Sequence, residues 1–281
     1  MLKRIITSIV AVIVLVPILV FSHTFIFPLA VSVITVVSLY EIFKCMGAVK
    51  KIYITLPLYI YGAAAPFIMR YNPTGNPMAF ALISFMVGAL YLVYLFSLIV
   101  WSHGKLRFGE TTSLFAMAIY IICAMNSILY VRDYGEGGKY LYLLIFLGAW
   151  ITDIFAYFTG YLFGKHKLIE DVSPKKTVEG SVGGILFCAL AFAGYGFVVK
   201  NFFSVDANIV FLAISGVILS VISQIGDLIM SVIKRQYNVK DYGWIFPGHG
   251  GMLDRFDSIL AVSLGFGVVC MFVTLTGIPL M

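Results

Sequence analysis

The chain has 281 residues, of which 61% are hydrophobic and 11% are charged, and its formal net charge is +6. Soluble domains are about 45–50% apolar and about 25% charged, so this composition excludes an ordinary soluble globular protein, which needs polar cover over its surface. The basic residues lie in short segments between apolar runs and form no single basic face, which argues against a nucleic-acid partner. The composition therefore predicts an integral membrane protein.

Nine apolar segments are close to the length of about 20 residues that a helix needs to cross a bilayer. They do not alternate with a period of two, so they predict helices and not barrel strands. The predicted fold class is an all-α polytopic membrane protein with spans at residues 5–21, 24–41, 52–69, 78–101, 112–131, 140–163, 181–199, 208–233 and 257–277. We divide it into amino-terminal helices (1–110), middle helices with a basic loop (111–180) and a carboxy-terminal catalytic region (181–281).

The distribution of lysine and arginine predicts the orientation of these spans. If the amino terminus is cytoplasmic, the outside loops carry only Arg70, Arg132, Lys139 and Lys200 of the 19 basic residues. An excess of basic residues in cytoplasmic loops is the usual topological signal. The count therefore favours nine spans with a cytoplasmic amino terminus.

The eighth predicted span carries a stripe of polar side chains. Residues spaced by three and four share one helix face, and this face holds Ser220, Ser223, Gln224, Asp227 and Ser231. Asp227 lies about 10 Å below the cytoplasmic end of the helix, where Lys234 and Arg235 follow. A carboxylate at that depth needs a cation or a water-filled cavity. We interpret it as part of a metal or substrate site; an ion pair that only fastens helices is the alternative.

A glycine-rich turn with two aspartates follows this span. Glycines on both sides of His249 permit positive φ and a close approach of the backbone to a ligand, and successive amides in such a turn can bind an anion. Asp254 and Asp257 are three residues apart at the start of the ninth span, where Asp227 can converge with Asp254. Such carboxylates suit a magnesium–phosphate site. The compensating cations for a polyphosphate would be Lys234, Arg235, Lys240 and Arg255.

The segment from Ser231 to Asp257 resembles the signature of the CDP-diacylglycerol synthases (phosphatidate cytidylyltransferases). It reads Ser231-Val-Ile-Lys234-Arg235, four residues, Lys240-Asp241, and then Phe246-Pro247-Gly248-His249-Gly250-Gly251-Met252-Leu253-Asp254-Arg255-Phe256-Asp257. Residues 173–180 and 153–164 are similar to further stretches of that family. The amino-terminal half resembles it only as generic apolar helices.

This resemblance implies a magnesium-dependent membrane enzyme that joins CTP to phosphatidate, giving CDP-diacylglycerol and pyrophosphate for phospholipid biosynthesis. It implies Asp227 and Asp254 as ligands of Mg²⁺, with K⁺ as a candidate second cation. The expected catalytic residues are Asp227, Asp254, Lys234, Arg235, Lys240 and His249. The expected substrate-binding residues are Ser231, Asp241, Gly250, Gly251, Arg255, Asp257, Lys175 and Lys176. We expect a homodimer in the bacterial cytoplasmic membrane, with the active site facing the cytoplasm.

Two alternatives stay open from the sequence. One keeps the chemistry and replaces phosphatidate by an isoprenoid glycerol phosphate or an isoprenoid alcohol. The other is a cation-coupled transporter with Asp227 as its ion site, which leaves the glycine-rich turn and the basic cluster unexplained. The roles of Asp153 and His249 are also left open, since Asp153 suits a pair within the helix bundle as well as a part in catalysis.

Overall fold

The structure, a computed structural model, describes residues 2–72, 77–277 and 280. The chain forms two compact units. The first comprises Met1–Leu129 and Tyr242–Leu253, and the second comprises Tyr130–Asp241 and Asp254–Met281. The glycine-rich turn therefore belongs to the first unit, whereas the residues that flank it in sequence belong to the second.

Long apolar helices make up most of the first unit. They are α1 (Leu2–Val20), α2 (Ile26–Cys45), α3 (Ile52–Arg70), α4 (Pro77–Trp101) and α5 (Phe108–Arg132), which ends in the second unit. The helices α2 and α3 approach closely at Gly62, where an added Cβ would lie 2.7 Å from Leu39 Cδ1. Only 6% of the most apolar 18-residue stretch of α4 is buried. A helix that is apolar all round and exposed is what a lipid-facing position requires.

The second unit contains the remaining helices. They are α6 (Gly138–Leu141), α7 (Leu143–Phe163), α8 (Val178–Phe203), α9 (Ile209–Gln236) and α10 (Leu253–Thr276). Glycines let α7 and α8 approach, because a Cβ on Gly180 would lie 2.6 Å from the Ala156 carbonyl oxygen. Gly160, the first glycine of a GxxxG motif, faces the same contact, with Gly180 Cα 3.5 Å from its ideal Cβ. Small residues at helix crossings are typical of membrane bundles.

A short β-hairpin lies between α7 and α8. Strands β1 (Lys167–Ile169) and β2 (Ser173–Thr177) pair antiparallel, with Lys167 opposite Thr177 and Ile169 opposite Ser173. The sequence predicted only a basic loop here, and such short strands carry too little periodic signal to be recognised. Thr177 then caps α8 by accepting a hydrogen bond from the Gly180 N–H at 3.1 Å, so the hairpin leads directly into the helix.

The all-α polytopic class is confirmed. By length and composition, eight helices of the described residues are long and apolar enough to cross a membrane. They correspond to the second to ninth predicted spans, of which the sixth combines α6 and α7. The first predicted span, 5–21, falls in α1, where Ile9–Val20 forms a shorter apolar stretch. The orientation of the amino terminus stays a prediction.

Candidate functional site

A buried ion pair joins α9 to the first turn of α10 in the second unit. Lys234 Nζ donates to Asp254 Oδ1 at 2.9 Å. The Asp254 side chain is 3% exposed and that of Lys234 is 15% exposed. The pair forms because α9 ends in a basic turn and α10 begins with an acidic one, an arrangement that also suits the dipole of each helix.

A second ion pair joins the hairpin to α9. Lys176 on β2 pairs with the carboxylate of Asp227, and both side chains are about one-quarter exposed, at 26% and 23%. The carboxylate in the middle of the polar stripe thus has the cation that its depth requires. Lys176, which the resemblance implies as a substrate-binding residue, is brought to α9 by strand β2.

Asp153, whose role the sequence left open, belongs to the same group of charges. Its Oδ2 accepts a hydrogen bond from Ser258 Oγ at 3.3 Å. It also interacts electrostatically with Asp227, Lys176 and Arg255. Asp153 is therefore a neighbour of the predicted site, on the helix that packs against α8 and α9.

Asp257 completes this acidic cluster one turn into α10. Its Oδ1 accepts from the Ser258 N–H at 2.8 Å, and the carboxylate interacts electrostatically with Asp227, Lys234 and Asp153. Three aspartates from α7, α9 and α10 thus act on one another. We call Asp153, Asp227, Asp254 and Asp257, with the basic Lys176, Lys234 and Arg255, the charged cluster.

The part of the α9 polar stripe that precedes Asp227, namely Ser220, Ser223 and Gln224, is buried. Ser220 accepts a hydrogen bond from Thr152 Oγ1 at 2.9 Å, and Gln224 Nε2 donates to the Ser181 carbonyl at 3.3 Å. Ser223 is fully buried between them in sequence. Two side chains of the stripe, Ser220 and Gln224, therefore link α9 to α7 and α8 by hydrogen bonds, which polar groups require inside a membrane bundle.

The glycine-rich turn adopts the predicted positive φ at two positions. Gly248 has φ +81° and Gly250 has φ +89°, values that L-residues with a Cβ adopt at a cost. The His249 N–H donates to the Phe246 carbonyl at 2.8 Å, and the Phe246 N–H donates to the Gly250 carbonyl at 2.9 Å. These two bonds close the turn on itself.

Sequence reasoning missed Glu41, which binds the end of this turn. Its carboxylate lies on α2, is 2% exposed, and accepts the backbone N–H groups of Met252 at 2.9 Å and Leu253 at 2.8 Å. The sequence indicated that successive amides of the glycine-rich turn can bind an anion. At Met252 and Leu253, which follow that turn, the anion on the amides is the protein's own Glu41 carboxylate. The only sequence signal was a carboxylate near the end of an apolar run.

Comparison with known proteins identifies the family. The sequence matches the sequence model described as "Cytidylyltransferase family" over residues 2–273. The chain belongs to the cytidylyltransferase family. Proteins named phosphatidate cytidylyltransferase from Staphylococcus epidermidis and Staphylococcus haemolyticus are each 32% identical to it over 259 residues. One from Staphylococcus aureus is 32% identical over 261 residues, and all three alignments cover 92% of this chain and 95% of the relative.

Membership of this family favours nucleotidyl transfer over transport as the use of the charged cluster. Five of the residues that the resemblance implies for the site are exposed: Lys175, Arg235, Lys240, Asp241 and Arg255. Ser231, on α9 one turn beyond Asp227, is partly exposed. Their binding roles, like those of His249, Gly250 and Gly251, stay predictions.

The predicted metal ligands fit magnesium by their chemistry. In the part of the chain that the structure describes, no three His, Cys, Asp or Glu side chains form a ready-made metal cage. Magnesium does not need one, because it usually binds one or two carboxylates together with substrate phosphates and water. The hard oxygen donors of Asp227 and Asp254 fit that pattern, although each is paired with a different lysine. Their convergence on one ion stays a prediction.

Proposed function

We propose that this member of the cytidylyltransferase family transfers the cytidylyl group of CTP to phosphatidate, giving CDP-diacylglycerol and pyrophosphate. The observation that carries this proposal is the similarity to proteins named phosphatidate cytidylyltransferase over 92% of the chain. The basic side chains beside the aspartates support it, because a cation-coupled transporter site does not require Lys176 and Lys234 next to its carboxylates.

In the proposed reaction, a phosphate oxygen of phosphatidate attacks the α-phosphorus of CTP. A new P–O bond forms, the bond from the α-phosphorus to the bridging oxygen breaks, and pyrophosphate leaves with the electron pair. The attacking phosphate is largely ionised at pH 7, with a second pKa near 6 for phosphate monoesters, so no general base is required. The protein has to hold the two phosphates in line and neutralise the developing charge.

The charged cluster offers groups for both tasks. Asp227 and Asp254 would hold Mg²⁺, whose chemical contribution when bound is to neutralise charge on the phosphates. Lys234, Arg235 and Lys240 would bind phosphate oxygens, since charge-assisted bonds to phosphate are strong. The pairing of Lys234 with Asp254 gives this lysine a fixed position near the proposed metal ligands.

The two substrates support a site at the membrane–cytosol boundary. Phosphatidate has its acyl chains in the bilayer, whereas CTP is dissolved in the cytosol. The basic residues of the predicted inside segments support a cytoplasmic site, and relatives from bacteria support the bacterial cytoplasmic membrane. A homodimer is part of the same proposal, and light scattering of the detergent-purified protein tests it.

The test is the formation of product by detergent-purified protein given CTP, phosphatidate and Mg²⁺. We expect CDP-diacylglycerol by mass spectrometry and an equal amount of pyrophosphate. Asp254→Asn should abolish both, while Glu110→Gln, at a carboxylate that is 55% exposed, should not. Product from an isoprenoid glycerol phosphate and none from phosphatidate would replace the proposed lipid. No product from either, with cation-dependent uptake into liposomes, would support the transporter.

A further inference from the structure

The start of α10 is capped by a side chain from another helix, Glu41 on α2. The first N–H groups of a helix have no partner within the helix, and Ser, Thr, Asp or Asn just before the helix usually accepts from them. Here the preceding residues are Gly250, Gly251 and Met252, which offer no such side chain. Glu41 fills this role from α2, at a sequence separation of 211 residues from Met252.

Two glycines beside Glu41 have no room for a side chain of their own. A Cβ on Gly251 would lie 2.6 Å from the Glu41 carboxyl carbon, and a Cβ on Gly243 would lie 2.8 Å from it. The same Cβ on Gly243 would lie 3.1 Å from Gly251 Cα. The two glycines therefore enclose the carboxylate, and we call Glu41, Gly243 and Gly251 the carboxylate cradle.

Burial of this carboxylate needs compensation. An ionised carboxylate that is 2% exposed loses much of its hydration, and such a group persists only where hydrogen bonds and favourable charges replace the water. The Met252 and Leu253 amides supply two hydrogen bonds, and the amino-terminal end of α10 supplies a favourable dipole. Both compensations act at the first turn of α10, so the side chain of Glu41 fixes where that helix begins.

Asp254 is the next residue in the chain after Leu253 and lies in this first turn. We infer that Glu41 is a positioning residue for cytidylyl transfer, acting through the first turn of α10 to orient Asp254. This inference rests on the proposed function. It adds a residue from the amino-terminal helices to a reaction whose other proposed groups all lie between Lys175 and Asp257.

The first experiment replaces Glu41→Gln in the full-length protein and uses Glu110→Gln as the matched control. Glutamine keeps the size of the side chain and one acceptor oxygen, but it presents an NH₂ group to the second amide. We expect kcat for CDP-diacylglycerol formation to fall about 10- to 100-fold, because small displacements of reacting groups reduce rates by factors of this size. The KM for CTP should change little, because Glu41 is not proposed to contact CTP and its loss leaves ground-state binding of the nucleotide in place.

Hydrogen–deuterium exchange of the peptide that contains Met252 and Leu253 provides a readout independent of activity. Exchange at these amides should be faster in Glu41→Gln than in the wild type and in Glu110→Gln. Faster exchange with unchanged kcat would show a purely structural cap and overturn the inference. Unchanged exchange would overturn it as well. An inactive wild-type protein would overturn the proposed function and the inference together, whereas an active wild type with an equally active Glu41→Gln overturns only the inference.

A second series covers the case in which Glu41→Gln fails to fold. Gly243→Ala should lower kcat because its new methyl group displaces the Glu41 carboxylate. Adding Glu41→Asp shortens the acid by one methylene and makes room for that methyl group. The double variant should therefore be more active than Gly243→Ala alone. A double variant less active than both single variants would overturn the claim that the cradle acts through Glu41.

Discussion

The buried pair of Lys234 and Asp254 allows catalysis to be separated from stability. Asp254→Asn removes the carboxylate that accepts from Lys234 Nζ at 2.9 Å, and the lysine side chain is only 15% exposed. Breaking a buried ion pair from one side costs about 3–5 kcal/mol. We expect the free energy of unfolding to fall by about 3 kcal/mol, the lower end of that range, because asparagine keeps an oxygen that can accept from the lysine. Domains are stable by about 5–15 kcal/mol, so the variant should fold but melt at a lower temperature.

The activity of this variant should fall below detection, since Asp254 is a proposed metal ligand. Loss of activity alone does not separate a catalytic role from damage to the fold. The decisive variant is therefore Lys234→Met with Asp254→Leu, which removes both charges. Replacing a buried pair by apolar residues of similar volume is often neutral or stabilising by about 1–4 kcal/mol. Its melting temperature should return to that of the wild type or exceed it.

Two measurements on the same preparations separate a loss of catalysis from a loss of stability. One is thermal unfolding in detergent, and the other is the yield of CDP-diacylglycerol by mass spectrometry. A double variant that is stable and inactive assigns the pair to the reaction. A double variant that is stable and retains near-normal turnover would refute our reasoning, because the pair would then only fasten α9 to α10.

Three further predictions concern charge at the site. Lys240→Ala should raise the KM for CTP several-fold, because its exposed ammonium is proposed to bind a phosphate; an unchanged KM would contradict this role. Lys176→Met should reduce kcat/KM about tenfold or more, since it removes the lysine that pairs with the Asp227 carboxylate. The control is Lys175→Met on the same strand, which should reduce kcat/KM less. Removal of divalent cations with EDTA should abolish turnover, and added Mg²⁺ should restore it. In the same assay, Asp227→Asn should raise the Mg²⁺ concentration needed for half-maximal activity, because it removes a proposed ligand.

The sequence predicted the spans well because long apolar runs are a direct consequence of the lipid environment. Among the residues that the structure describes, eight of the nine predicted spans correspond to helices with the length and composition needed to cross a membrane. The break at Tyr142, between α6 and α7, was not predicted. Hydropathy does not change across it, and helix ends depend on local backbone bonds that apolar composition does not specify.

The contacts of the charged cluster were predictable where its residues are close in sequence. Asp227, Lys234 and Asp254 were identified from helical spacing and from the glycine-rich turn, and the structure pairs Lys234 with Asp254. The contact of Glu41 with Met252 spans 211 residues and leaves no periodic pattern. A lone acid in an apolar helix indicates that a partner exists, but it does not say which backbone groups are the partner.

The ion pairs Lys176–Asp227 and Lys234–Asp254 are compatible with the proposal that the enzyme needs Mg²⁺. The charged cluster holds four aspartates against three basic side chains, so it is close to neutral by itself. A triphosphate and the phosphate of phosphatidate, which alone carries about −1.5 to −2 at pH 7, would bring several negative charges into this region. Like charges repel strongly where the effective dielectric constant is low. Lysines already paired with aspartates cannot neutralise the substrates in full, and a divalent cation held by Asp227 and Asp254 would supply the missing positive charge. The pairing of each aspartate thus predicts that turnover depends on Mg²⁺ bound together with CTP, and not on an ion held by the protein alone.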